Sequence, residues 1–443
     1  MKFHVFTFGC QMNAADSGWL TRSLENMGWE KAPADQAKAF IVNTCSVREK
    51  PEQKLYSELG RIAEHLERVP GLFCAVGGCV AQQVGAKLWN RFPFVRLVFG
   101  TDGVAQAPQA LARIAREPRL RVSLLDFSDS YIERDAALPG PLDSPRAFVN
   151  IMQGCDNFCT YCIVPYVRGR QKSRTSEAVL AECRSLAERG VKDVTLLGQN
   201  VNSYGRDKGG DGTSFPQLLR AVAAVDGIER VRFTTSHPKD IAPEVVAAFG
   251  ELENICPTLH LPVQSGSDDV LRRMGRNYTV EKYLGIVDAL RLARPDISLT
   301  TDFIVGFPGE TEEDFKATLE LIPRAGFEGS FSFIYSDRPG VAAATMEPKI
   351  PAEIKSWRLD ELQALQNARQ QSILQGLVSS VAPVLVEGPG KRRDSDVPAW
   401  RGRDAHGRTV NFLAPASPDL FGRIVNVRVT EAKKHSLWGE ILP

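Results

Sequence analysis

Apolar positions in the first quarter of the chain come in short runs, separated by stretches that repeat every three to four residues. "KFHVFTF", "AKAFIVN" and "GLFCAVG" read as strands. Between the first two, Leu20, Leu24 and Met27 recur at i, i+4 and i+7, one face of a helix with Gly28 as its stop. Strands alternating with helices predict a small α/β domain with a parallel sheet over residues 1–116. Residues 117–144 mix charges with Pro and Gly and read as a connector. The alternation resumes over 145–374 with six strand-like runs: "AFVNIMQG", "VKDVTLLG", "RVRFTTS", "PTLHLPV", "SLTTDFIVGF" and "GSFSFIYS". Helical faces separate them, such as Val179, Cys183 and Leu186 after Thr175. Another, Phe315, Leu319 and Ile322, follows a capping box of Thr311 and Asp314. Six β/α units predict a partial (β/α)6 barrel, in which ligands gather at the carboxyl ends of the strands. Over 375–443 the period becomes two, with Val425, Val427 and Val429 against Asn426, Arg428 and Thr430. That tail reads as a small β-barrel.

Composition changes this picture little. At 443 residues the chain exceeds one ordinary core, and 43% hydrophobic with 24% charged residues is globular. No apolar run spans a bilayer, and "MKFHVFTFGC" is too short and polar-interrupted for a secretory signal. Nine cysteines without such a signal point to reduced thiols in the cytoplasm, used for chemistry or metals. The net charge of +1 decides nothing about nucleic acid, but residues 375–443 hold ten Lys/Arg against seven Asp/Glu. Lys391, Arg392, Arg393, Lys433 and Lys434 in its loops are candidates to grip phosphates, with a solvated surface as the plain alternative.

The cysteines carry the sharper signal. "GCDNFCTYCIVPYVRGR" packs Cys155, Cys159 and Cys162 into eight residues just past the barrel's first predicted strand. Three thiolates on a short loop suit three irons of a cubane cluster whose fourth iron stays open. A zinc knuckle lacks a nearby fourth ligand, and a redox pair at Cys159 and Cys162 leaves Cys155 idle. Cys10, Cys45 and Cys79 form a second, dispersed triplet, each just past a strand of the amino-terminal sheet, so all three converge on one edge. Cys74, Cys183 and Cys256 read as packing residues. Arg168, Arg170, Lys172 and Arg174 follow the loop, either as contacts to RNA phosphate or to a ligand's carboxylate, or as a solvated stretch.

"FGCQMN", "NTCSVRE", "VGGCVAQ", "LLGQNVNSYG", "LPVQSGS" and "TDFIVGFPGET" together with the cysteine loop resemble the methylthiotransferases of the radical S-adenosylmethionine (SAM) superfamily, over nearly the whole chain. The resemblance implies two 4Fe-4S clusters, an auxiliary one on Cys10, Cys45 and Cys79 and one on Cys155, Cys159 and Cys162 that cleaves SAM. It also implies an RNA-binding TRAM barrel at the tail. "NTCSVRE" and "GQNVNSYG" are similar to the tRNA-modifying branch rather than the branch acting on a ribosomal protein. The implied reaction adds a methylthio group to carbon 2 of N6-isopentenyl-adenosine beside the anticodon. That carbon has no acidic proton, so a radical route is required. Tyr161, Gln199, Ser236 and Gln264, near carboxyl ends of strands, are the expected SAM contacts. The implied partners are a tRNA anticodon stem-loop and an electron donor such as flavodoxin or ferredoxin, with the enzyme a cytoplasmic monomer off the membrane. Gln171 stands where the family has an acid, and Val341 where it has Thr.

Overall fold

The computed structural model describes residues 1–46, 51–66, 69, 71–134, 144–390, 397–414 and 420–442. In the amino-terminal sheet the strands run in the order Glu30–Lys31, Lys2–Thr7, Ala39–Thr44, Phe73–Gly78, Val95–Phe99, Val122–Leu124, all parallel. The last strand falls inside the stretch read as a connector. Its three residues are too few, and too charged at their flanks, to show a period. Alternation along Ala39–Thr44 sends Phe40 and Val42 to one face and Ala39 and Ile41 to the other. The first face is covered by the helix Pro51–Leu66 and the second by Gln11–Asn26 and Ala107–Arg116. Leu20 and Leu24 are fully buried, whereas Met27 lies beyond the helix end and is exposed, because Gly28 at φ +79° has already turned the chain.

Six parallel strands build the central domain as two three-stranded sheets. Arg146–Asn150, Asp193–Leu197 and Arg230–Thr234 form the first, and Thr258–His260, Ser298–Val305 and Gly329–Ile334 the second. A parallel bridge from Val231 to Ile255 leads from one toward the other. Helices follow as the periods predict. Thr175 caps Ser176–Glu188, and Thr311 with Asp314 forms the capping box of Glu312–Ala325. Cys74, Cys183 and Cys256 are buried, and burial raises each thiol pKa.

The tail closes into a five-stranded barrel, in the order Val381–Pro389, Ala399–Arg403, Thr409–Leu413, Leu437–Ile441, Ile424–Ala432. Val427 and Val429 fill its core, while the intervening residues face out. It reaches the central domain through the 25-residue helix Ala352–Gly376 and docks at the amino ends of the central strands. There Arg230 donates to the carbonyls of Arg403 and Pro383, both at 2.8 Å, and Arg232 to that of Asp404 at 3.1 Å. Arg408 pairs with Glu328 at 2.6 Å, and Arg146 with Glu387 at 2.9 Å. Among the described residues no helix is long and apolar enough to cross a membrane.

Candidate metal centre

Both cysteine triplets depend on glycines that let backbones approach. Cys10 caps the helix Gln11–Asn26, Cys45 follows the strand Ala39–Thr44, and Cys79 opens the helix Cys79–Val84. A side chain at Gly9, φ +115°, would put its Cβ 2.0 Å from the Cβ of Cys45. At Gly78, φ +87°, it would meet the carbonyl of Thr44 at 2.2 Å. Both positions therefore require glycine twice over, for dihedral and for space. Asn13 stitches the first two loops, donating to the carbonyls of Phe8 at 3.1 Å and Thr44 at 2.6 Å while its Oδ1 accepts from the Cys10 thiol at 3.6 Å. A hydrogen bond from Cys45 pulls the Cys10 thiol down to about 5, against burial, and the Arg168 charge adds to the effect.

The Cys155–Cys162 loop begins at Gly154, φ +79°, where a Cβ would lie 2.0 Å from the carbonyl of Arg170. Gly154 N–H donates to Gln199 Oε1 at 2.6 Å, Cys155 N–H to Gly169 O at 3.3 Å, and Thr160 N–H to Met274 O at 3.0 Å. Arg276, buried, reaches Cys159 Sγ at 3.6 Å and is fixed by the Pro262 carbonyl at 2.9 Å and the Tyr278 hydroxyl at 3.1 Å. His237 Nε2 stands 4.0 Å from the same sulfur, and burial with Arg276 and Lys239 lowers its pKa to about 2, so its ring is neutral. Burial raises Cys155, and it lifts Cys162 to about 12 with the neighbouring Cys159 adding. Such thiols ionise when a metal takes the proton's place. Among the described residues no three His, Cys, Asp or Glu side chains crowd closely enough to share one metal ion. Corners of a cubane, by contrast, each take a separate thiolate.

A cavity of about 600 Å³ lies between the triplets, with Cys10 and Cys45 of one and Cys162 of the other in its wall. Of the expected SAM contacts, Tyr161 and Gln264 line it. Gln199 is turned instead to Gly154 and to Met12 Sδ. Ser236 is buried, and its hydroxyl has no hydrogen-bond partner among the described residues. It is not among the residues lining this cavity.

The cationic run after the loop departs from expectation. Of its four members Arg170 alone is exposed, paired with Asp156 at 2.6 Å and lying over the Phe158 ring. Arg168, Lys172 and Arg174 are buried and taken by protein partners, so they offer nothing to RNA phosphates. Lys172 pairs with Asp102 of the amino-terminal domain at 2.5 Å, and Arg174 with Glu133 at 2.9 Å and Glu182 at 2.5 Å. Arg168 donates to Asn13 Oδ1 at 2.9 Å. A charge count along the sequence cannot tell a domain interface from a surface. Gln171 is buried between Ser203 and Asp207, where its amide donates; an acid there would face a carboxylate. Val341 packs with Cys79, Ile163 and Val167. Lys433 and Lys434 are exposed on a turn of the tail barrel, and Lys391, Arg392 and Arg393 lie outside the described residues. Arg276 and Asn13 do not stand out in the sequence. For Asn13 the one signal is a set of polar residues (Asn13, Asp16, Ser17) on the buried side of a helix.

Residues 149–322 match the radical SAM superfamily, residues 2–100 the uncharacterized protein family UPF0004, and residues 377–442 the TRAM domain. The chain is 57% identical over 438 residues to a tRNA-2-methylthio-N(6)-dimethylallyladenosine synthase of Nitratidesulfovibrio vulgaris, covering 99% of this chain and 98% of that protein. Proteins of the same name from Lawsonia intracellularis and Ralstonia nicotianae are 49% and 44% identical, covering 99% and 97% of their lengths and 100% of this chain. A solved structure of the radical SAM methyltransferase TsrM from Kitasatospora setae shares the fold, with a TM-score of 0.58 at 15% identity. It covers 90% of this chain and 79% of that one.

Proposed function

The chain belongs to the methylthiotransferase family of radical SAM enzymes, and from that premise we propose that it adds a methylthio group to carbon 2 of N6-isopentenyl-adenosine beside the anticodon of tRNA. The observation that carries this reading is one cavity whose wall takes Cys10 and Cys45 from one triplet and Cys162 from the other. Sulfur chemistry and radical chemistry have to meet at one carbon, and here they have one chamber.

SAM and a 4Fe-4S group go with the family, and we assign Cys155, Cys159 and Cys162 as the donors for that group. We assign a second cluster to Cys10, Cys45 and Cys79. Held there, the two groups supply a 5′-deoxyadenosyl radical from SAM and a sulfur to be methylated. The protein's own residues do the rest. Arg276 sets a fixed positive charge against Cys159. Along Gly329–Ile334 the alternation turns Phe331 and Phe333 into the cavity, and they remain 59% and 38% exposed there. Exposed aromatic rings lining a lumen mark a binding wall for a flat base with an apolar tail. His260, 3.4 Å from Asp302, gives the same lumen a polar edge. The target base must leave its stack to enter, which an anticodon loop permits. A flavodoxin or ferredoxin as reductant, action as a monomer, and a cytoplasmic location where all nine cysteines stay reduced complete the proposal.

Mass analysis of tRNA nucleosides after anaerobic incubation with SAM and reductant tests it. The methylthiolated isopentenyl-adenosine is the expected product. Methylthiolation of ribosomal protein instead of tRNA would overturn the assignment. For the tail, Lys433→Glu with Lys434→Glu should weaken tRNA binding and lower the log–log salt slope by about 0.7–0.9 for every phosphate the tail no longer neutralises. Titrations at several salt concentrations measure this. An unchanged slope would return the two lysines to ordinary solvated surface.

A further inference from the structure

We infer that Arg168, carried on the loop of one cysteine triplet, is the positioning residue that sets the charge environment of the other. The inference rests on the proposed cluster at Cys10, Cys45 and Cys79. Arg168 ends the short helix Val164–Arg168, six residues after Cys162, and Gly169 at φ +74° then turns the chain away. Its guanidinium crosses into the amino-terminal domain, where Nη2 donates to Asn13 Oδ1 at 2.9 Å and Nη1 approaches Met12 Sδ at 3.6 Å. Asn13 is the same side chain that accepts from the Cys10 thiol. Arg168 also hydrogen-bonds Cys79, and its charge acts on Cys10. Beneath it, Cys79 packs with Ile163 and Val167 of the same segment.

Arg168 is buried, and an arginine guanidinium keeps its charge in proteins. A buried cation held by fixed acceptors beside three thiolates lowers the cost of adding an electron to whatever they hold. The Arg168 guanidinium therefore raises the reduction potential of the amino-terminal group. It also ties that potential to the seating of the Cys155–Cys162 loop.

The experiment is an anaerobic redox titration of the full chain followed by electron paramagnetic resonance. It is made in the Cys155→Ala, Cys159→Ala, Cys162→Ala background, where the amino-terminal group titrates alone. Arg168→Gln should load iron as its parent does and move the midpoint to a more negative potential. Arg168→Lys, which keeps the charge, should bring the midpoint most of the way back. An unchanged midpoint in iron-replete Arg168→Gln overturns the inference. Should Arg168→Gln fail to load, Arg168→Lys decides. Normal iron content with a near-parental midpoint supports a charge role, and loss of iron there too overturns it in favour of plain packing. A parent that binds no iron would instead refute the auxiliary-cluster assignment, a separate result.

Discussion

Changing Cys10, Cys45 and Cys79 together to Ala abolishes the methylthiolated nucleoside while SAM is still cleaved to 5′-deoxyadenosine. This expectation follows from where each loop is anchored. The Cys155–Cys162 loop takes its backbone hydrogen bonds from Gly169, Met274 and Ala343, and its buried cation from Arg276, all in the central domain. None of these is altered by removing thiols from the amino-terminal sheet. That sheet keeps two apolar layers of its own, to which only Cys74 and not the triplet contributes. The variant should therefore fold, dock and generate the radical, with no sulfur to transfer. Chromatography of both products from one reaction measures it. Methylthiolated nucleoside at the parental level would sink the assignment of the triplet.

The converse substitution is larger in effect. With Cys155, Cys159 and Cys162 changed to Ala, reconstituted iron should fall from about eight to about four per chain, and neither 5′-deoxyadenosine nor product should form. The remaining iron is retained because Gly9 and Gly78 bring the amino-terminal loops together without help from the central domain. Iron and sulfide analysis gives the count. Loss of all iron would show that the two sites do not load independently.

Much of this is legible in the chain because local periods match what each element buries. Residues Ala39–Thr44 are buried on both faces, and Ala39–Val42 read as a continuous apolar run, as a central parallel strand should. All six proposed cluster cysteines follow strands, so strand assignment alone puts them at the carboxyl ends of strands. What stays hidden depends on pairings between segments far apart in sequence. Lys172 meets Asp102 and Arg168 meets Asn13, pairs that no window of the sequence contains. Arg276 lies in "RRMGRNYT", where nothing distinguishes it from the arginines three and four residues earlier until the fold sets it against Cys159. The docking of the tail is equally invisible. Arg230 and Arg232 put two buried charges on one short strand, and the tail's carbonyls, with Asp193 for Arg232, explain them.

That docking makes the molecule a caliper. The tail barrel sits at the amino ends of the central strands, and the cysteine loop sits past their carboxyl ends. A six-residue strand such as Gly329–Ile334 alone spans about 20 Å, at about 3.3 Å per residue. Fixed by Arg230, Arg232 and Arg408 rather than swinging on a tether, the tail cannot follow a small substrate to the rim. With the tail gripping RNA as proposed, a substrate held at one pole would be gauged by its own stiffness, and a folded stem of the right reach would present its loop at the other. A free nucleoside or a short hairpin would enter the chamber without being measured, so substrate length should matter to KM far more than to the rate of the bound complex.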